Sequence, residues 1–230
     1  MKNIKSPLSL LIAGIFSFQT SKAQDWANLG YYKKDNIKIG SPKKAEKRIV
    51  FFGDSITESW GKICPYFFAG KAYINRGISG QTTPQMLLRF RADVINLKPV
   101  AVIILAGTND IAGNTGPSTL EMIKDNITSM AELAKANGIK VILSSVLPVY
   151  EYPWKRGLHP SEKIASLNKW IKNYAANNKL IYIDYYTSMV DERKGLRIKY
   201  SKDGVHPNEA GYKVMIPLVE LAIAKALQTE

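Results

Sequence analysis

Five short apolar runs divide the chain: RIVFFG at 48–53, KAYINRG at 71–77, VAVIILAG at 100–107, KVILSSVLP at 140–148 and LIYIDYY at 180–186. The third is apolar throughout, as a central parallel strand covered on both faces should be. Between the runs the period changes to that of a helix. Residues 83–97 place Met86, Leu87, Phe90, Val94 and Leu97 at helical spacing. Residues 116–138 carry Pro117 near their start and Gly138 just past their end, the usual helix punctuation. Residues 160–178 offer Ser161 as N-cap, with Ile164, Leu167, Trp170, Ile171 and Tyr174 on one face. The final apolar stretch, 208–227, contains Pro217, which predicts a kink or two consecutive helices. Residues 26–39 add a further helical candidate before the first strand. Strand and helix alternate, and right-handed crossovers then give a three-layer αβα sandwich. Its five-stranded parallel sheet is expected in the flavodoxin-like order 2-1-3-4-5. Residues 148–160 form the longest irregular stretch, a length usually reserved for functional or mobile loops.

The N-terminus reads differently. Lys2 and Lys5 precede an apolar run at 8–18, and small residues stand at Ser21 and Ala23. This is the pattern of a secretory signal over 1–23 with cleavage near Ala23; the run is short for a membrane span. The expected organisation is a signal at 1–23, an N-terminal arm at 24–47 and one domain at 48–230, with an exported, periplasmic or secreted product. No later run is long enough for stable membrane insertion. Cys64 is the sole cysteine, so no internal disulfide can form, and a small buried residue is the expected role. The formal charge is +13, of which +10 remains once the three lysines of 1–23 are gone. The excess is diffuse, with a local run at 31–48. That run is either a solvated basic surface or an attraction to anionic polysaccharide or headgroups. No nucleic-acid recognition motif accompanies it.

In an open parallel sheet, ligands bind at the carboxyl ends of the strands. Asp54 and Ser55 follow the first strand, Gly77 and Gly80 the second, Asn109 and Asp110 the third, and Asp203 and His206 lie beyond the fifth. A serine hydroxyl needs a base to become a nucleophile, and histidine titrates in the right range. Asp203, three residues before His206, can orient the imidazole and stabilise its charged form. Candidate catalytic residues are therefore Ser55, Asp203 and His206. Charge developing on an ester carbonyl needs aimed donors, for which the N–H groups of Ser55 and Gly80 and the amide of Asn109 are candidates. Asp54 and Asp110 read as structural carboxylates that bond nearby backbone. His159 lacks an acid three residues before it and reads as a rim residue. Two histidines and one cysteine offer no zinc spacing, so neither metal nor cofactor is expected. Trp60, Tyr150 and Trp154 are candidate substrate-binding aromatics at a pocket lip, with core packing or loop anchoring as the alternative for each.

The blocks FFGDSITE, NRGISGQTT, GTND and DGVHP, in this order on the matching strands, resemble those of the SGNH hydrolases, also called GDSL-type esterases or lipases. The resemblance runs from about Arg48 to Met215. It implies Ser55 as nucleophile, Asp203 and His206 as the rest of a triad, and Gly80 and Asn109 as oxyanion donors. Ile56 stands where the family name has leucine. The expected activity is that of a serine esterase on O-acyl, first O-acetyl, esters of carbohydrates, small or polymeric. The alternatives are a lysophospholipase, lipase or thioesterase acting on longer acyl chains, and a non-catalytic carbohydrate-binding protein on the same fold.

Overall fold

A computed structural model describes residues 25–228; the expected signal segment lies outside the described residues. The strands are β1 (Ile49–Gly53), β2 (Tyr73–Gly77), β3 (Ala101–Leu105), β4 (Lys140–Ser144) and β5 (Ile181–Ile183). They form one parallel sheet in the order β2-β1-β3-β4-β5, with Ile49 in register with both Tyr73 and Ala101. Nine α-helices accompany them among the described residues: α1 (Lys33–Ile39), α2 (Ser55–Ile63), α3 (Pro65–Phe68), α4 (Thr83–Asp93), α5 (Thr108–Ala112), α6 (Leu120–Ala136), α7 (Ser161–Asn177), α8 (Tyr185–Met189) and α9 (Glu209–Gln228). None of the described helices is long and apolar enough to cross a membrane.

Successive strand residues point to opposite faces, so the apolar runs feed two cores at once. Val50, Phe52, Val102 and Ile104 pack with residues of α4, α6 and α7, such as Phe90, Ile127 and Leu167. Ile49, Phe51, Ile103 and Leu105 pack with residues of α2, α3 and α9, such as Trp60, Phe67 and Met215. Three layers result, and the carboxyl ends of the strands are left for loops. Gly77 permits a close approach between sheet and helix: a Cβ there would stand 2.1 Å from the backbone nitrogen of Glu58.

Two helix expectations change. Ser161 is the first helical residue of α7, not its cap; Pro160 precedes it with φ −73° and ψ −15°. Proline lacks an N–H and holds its φ near the helical value, so it can begin the turn at little cost. α9 is one helix through Pro217, not the two consecutive helices that are the alternative to a kink. Pro217 and Lys213 are both exposed, so the carbonyl that the proline leaves without a helical partner lies on the solvent side.

The segment before β1 is docked along α4 and β2. Asn36 donates to the Ala92 carbonyl at 3.2 Å and to Asp93 at 2.7 Å, and accepts from Arg76 at 2.9 Å. Tyr32 donates to the Gly77 carbonyl at 2.5 Å.

Arg89, on α4, is fully buried. It donates to Asp93 at 3.0 Å, to the Gly53 carbonyl at 2.9 Å and to the Gln81 side chain, with its guanidinium 4.2 Å from the centre of the Phe52 ring. Removing one member of a buried ion pair strands the other in a medium that solvates charge poorly. Arg89→Met should therefore lower unfolding free energy by about 3–5 kcal/mol, read as a shifted urea midpoint.

Candidate active site

β1 ends at Gly53, and α2 begins two residues later, so Ser55 sits at a helix N-terminus under the strand end. Its backbone N–H has no residue four back within the helix to bond. Ser55 Oγ lies 2.9 Å from His206 Nε2, a contact across 151 residues of chain. His206 Nδ1 lies 2.6 Å from Asp203 Oδ2. The turn that carries both is closed on itself. Asp203 Oδ1 accepts from the backbone N–H groups of Val205 at 2.9 Å and His206 at 2.8 Å. Ser201 Oγ lies 3.0 Å from that same oxygen and 2.8 Å from the His206 carbonyl. Partial burial alone would raise the Asp203 pKa. The hydrogen bonds from the His206 ring and from the two backbone donors outweigh it and bring the group to about 2.

Gly80 and Asn109 flank the same edge. Gly80 takes φ +76°, a conformation that costs glycine little. Asn109, on the short α5, is buried and donates from Nδ2 to the Gln81 carbonyl at 3.0 Å. The structure thus brings Ser55, Asp203 and His206 into one hydrogen-bonded row, with Asn109 bonded to the residue after Gly80.

The neighbouring carboxylates are buried and tied to backbone. Asp110 accepts from Thr83 N–H at 3.0 Å and from Thr83 Oγ1 at 2.6 Å, which fastens the start of α4 to α5. Burial raises its pKa. Asp54 accepts from Ile56 N–H at 2.9 Å through Oδ1, while its Oδ2 has no partner.

The aromatic candidates divide. Trp154 is 46% exposed, and its ring centre lies 6.0 Å from that of His206. Tyr150 is 50% exposed, beneath the Arg193 guanidinium at 5.3 Å. It borders a cavity of about 210 Å³ whose lining includes Asp203 and Arg156. Trp60 belongs to the core instead: it is 2% exposed and stacked between Phe67 at 5.1 Å and Tyr212 at 5.3 Å. Five residues after Ser55 on α2, it points about 140° away from the serine, since a helix turns about 100° per residue. His159 is exposed with φ +45° and takes no part in the Ser55–His206–Asp203 hydrogen bonds. Sequence reasoning missed Gln81, Arg89 and Asn114. Arg89 lies within a helical pattern and Asn114 in a glycine-rich turn, so neither carried a local signal. Tyr152, between the candidates Tyr150 and Trp154, is buried, and its hydroxyl donates to the Thr108 carbonyl at 2.9 Å.

A parallel sheet with a serine, a histidine and a carboxylate aligned at its carboxyl edge is the arrangement that serine ester hydrolases use. Residues 51–214 match the GDSL-like Lipase/Acylhydrolase family. The solved structure of a GDSL-like lipase from Bacteroides thetaiotaomicron VPI-5482 is similar, with a TM-score of 0.85 and 53% identity, covering 87% of this chain and 98% of that one. An acetylxylan esterase of Xylanibacter ruminicola is 26% identical over 245 residues, covering 90% of this chain and 48% of that protein. The uncharacterized lipoprotein YqeF of Bacillus subtilis is 31% identical over 132 residues, which are 50% of this chain and 54% of that protein. The chain thus spans about half the length of these two curated relatives. It belongs to the GDSL-like lipase/acylhydrolase family, a family of carboxylic ester hydrolases, in agreement with the resemblance carried by its four sequence blocks.

The state of Asp54 makes stability depend on pH. Burial raises its pKa from 3.8 to about 6, against the opposing pull of the Ile56 N–H and His206. Between these values the folded chain keeps a proton that the unfolded chain has released. The group's contribution is fully present below about pH 4 and is lost as pH rises through about 6, a change on the order of 3 kcal/mol. Asp54→Asn should remove that slope, which urea titrations at pH 4, 5, 6 and 7 would read.

Proposed function

We propose that the protein is an exported serine esterase that removes O-acyl groups, first of all O-acetyl groups, from carbohydrates. The observation that carries this reading is the unbroken row from Ser55 Oγ to His206 at 2.9 Å and from His206 to Asp203 at 2.6 Å. His206 Nε2 takes the Ser55 proton as Oγ attacks the ester carbonyl carbon. The carbonyl oxygen gains negative charge and is met by the N–H groups of Ser55 and Gly80 and by the Asn109 amide. The intermediate collapses, and His206 returns the proton to the departing sugar oxygen. The acyl group is then an ester on Ser55. Water enters, His206 takes its proton, and the acid is released with Ser55 restored. Asp203 stays ionised throughout, holds the imidazole in the tautomer that leaves Nε2 free to accept, and stabilises the imidazolium.

Two observations favour carbohydrate esters as the substrate class. Exposed Trp154 and Tyr150 offer flat apolar faces beside the row, suited to sugar rings. The similarity to an acetylxylan esterase favours the same class. Export is favoured by the N-terminal pattern at 1–23 and by the similarity to a lipoprotein.

A fluorophosphonate probe should label Ser55, with the site mapped by mass spectrometry; absence of label on the folded protein would end the esterase reading. Asp203→Asn should lower kcat by about 10⁴-fold, as loss of the orienting carboxylate does in such triads. His206→Ala should abolish acetyl-ester turnover, whereas His159→Ala should leave it nearly intact. Acetate release from a panel of acetylated glycans, set beside aryl esters of increasing chain length, decides between deacetylase and long-chain lipase.

A further inference from the structure

The amide of Asn109 is held at both ends. Its Nδ2 donates to the Gln81 carbonyl at 3.0 Å, and its Oδ1 accepts from Asn114 Nδ2 at 2.8 Å. Asn114 in turn accepts, through Oδ1, the indole N–H of Trp154 at 3.2 Å. The two terminal groups of this chain cannot exchange roles: an indole nitrogen only donates and a carbonyl oxygen only accepts. The polarity of every bond between them is therefore set. Oδ1 of Asn114 must face Trp154, so its NH2 faces Asn109 Oδ1, and the Asn109 NH2 must face Gln81. An amide rotated by half a turn has nearly the same shape, so sterics alone would not choose its direction. One Asn109 N–H is used on Gln81, and the second remains for a ligand.

Trp154 is also the exposed member of the chain, 46% accessible and 6.0 Å from the His206 ring. Its loop is anchored two residues earlier, where buried Tyr152 donates to the carbonyl of Thr108, the neighbour of Asn109. The rim aromatic and the amide thus share one support.

We propose that Asn114 is a positioning residue that, through Trp154, couples substrate contact at the rim to the direction of the Asn109 amide. This rests on Asn109 being an oxyanion donor of an esterase. A sugar ring held against the indole restrains Trp154, Trp154 restrains Asn114, and Asn114 keeps the Asn109 donor aimed. An acetylated glycan therefore gains in kcat over a small aryl acetate, which leaves the indole free.

Asn114→Asp tests the direction of the chain. It is nearly isosteric and still accepts from Trp154, but it sets a carboxylate oxygen against Asn109 Oδ1. The expected result is a fall in kcat of about tenfold or more with KM within about twofold, below the full loss of a deleted donor. The same factor should appear in the rate of fluorophosphonate labelling, since the phosphoryl oxygen occupies the same hole. In an Asn109→Ala background, Asn114→Asp should add nothing further, because both changes act on one donor. Trp154→Phe keeps an aromatic ring near His206 but removes the N–H together with part of the indole face. The lost face should raise KM for the glycan, while the lost N–H should lower kcat by a smaller factor than Asn114→Asp and shrink the glycan's advantage in kcat. If Asn114→Asp does not fold, Trp154→Phe alone decides. Unchanged kcat in the folded variants, or equal losses with and without Asn109, overturns the relay. A wild-type protein without turnover or labelling would instead remove the esterase reading beneath it.

Discussion

The buried guanidinium of Arg89 reinforces, from one side chain, the link between the end of β1 and the turn that follows β2, which the sheet begins by pairing Gly53 with Gly77. One arm bonds the carbonyl of Gly53, the last residue of β1 before Asp54 and Ser55. Another bonds the side chain of Gln81, whose backbone carbonyl receives the Asn109 amide. A third pairs with Asp93 one turn further along α4. A planar group with several fixed donors can do this; a lysine ammonium could not span the same three acceptors in the same plane. The cost is a charge taken out of water, and burial accordingly lowers the Arg89 pKa against the pull of Asp93. The serine-bearing turn and the turn carrying Gly80 are held in one frame as a result. The arm before β1 reaches that frame as well, because Gln81 donates to the Ala27 carbonyl at 2.8 Å and Asn36 bonds Asp93 at 2.7 Å.

Two aspartates near one histidine are shifted in opposite directions. Asp203 accepts from the His206 ring and from two backbone donors and is pulled down to about 2. Asp54 is buried, has one oxygen without a partner, and is pushed up to about 6. Only the first bonds the ring, so only it can orient the imidazole; the second turns one oxygen to the Ile56 N–H at the start of α2. Hydrogen bonding and burial, not residue type, separate their roles.

The loop at 148–160 shows how a long irregular segment acquires a defined geometry. Tyr152 is inserted into the core and bonded to Thr108, while Trp154, two positions on, remains at the surface near His206. Alternate residues of one loop thus serve as anchor and rim. Trp60 and Trp154 make the parallel point for residue type. Each is a tryptophan near the serine or its partner, yet one is stacked between Phe67 and Tyr212 and the other faces solvent.

Local pattern was enough for the five strands, and their alternation with helices, read through the flavodoxin-like arrangement, was enough for their order. It also pointed to Ser55, Asn109 and Asp203 with His206 as candidates, because their short blocks, each weak alone, follow one another in order on the matching strands. What tertiary structure alone decided are relations between distant side chains. The burial of Arg89, the direction in which Trp60 packs, the docking of Asn36 on α4 and the bond from Asn114 to Asn109 depend on which surfaces meet after folding. Charge, helical period and turn composition are properties of neighbours along the chain, and a hydrogen bond across 151 residues, such as that from Ser55 to His206, is legible only when chemistry demands the partner. Where no such demand exists, as for Arg89 and Asn114, only the packed molecule reveals the contact.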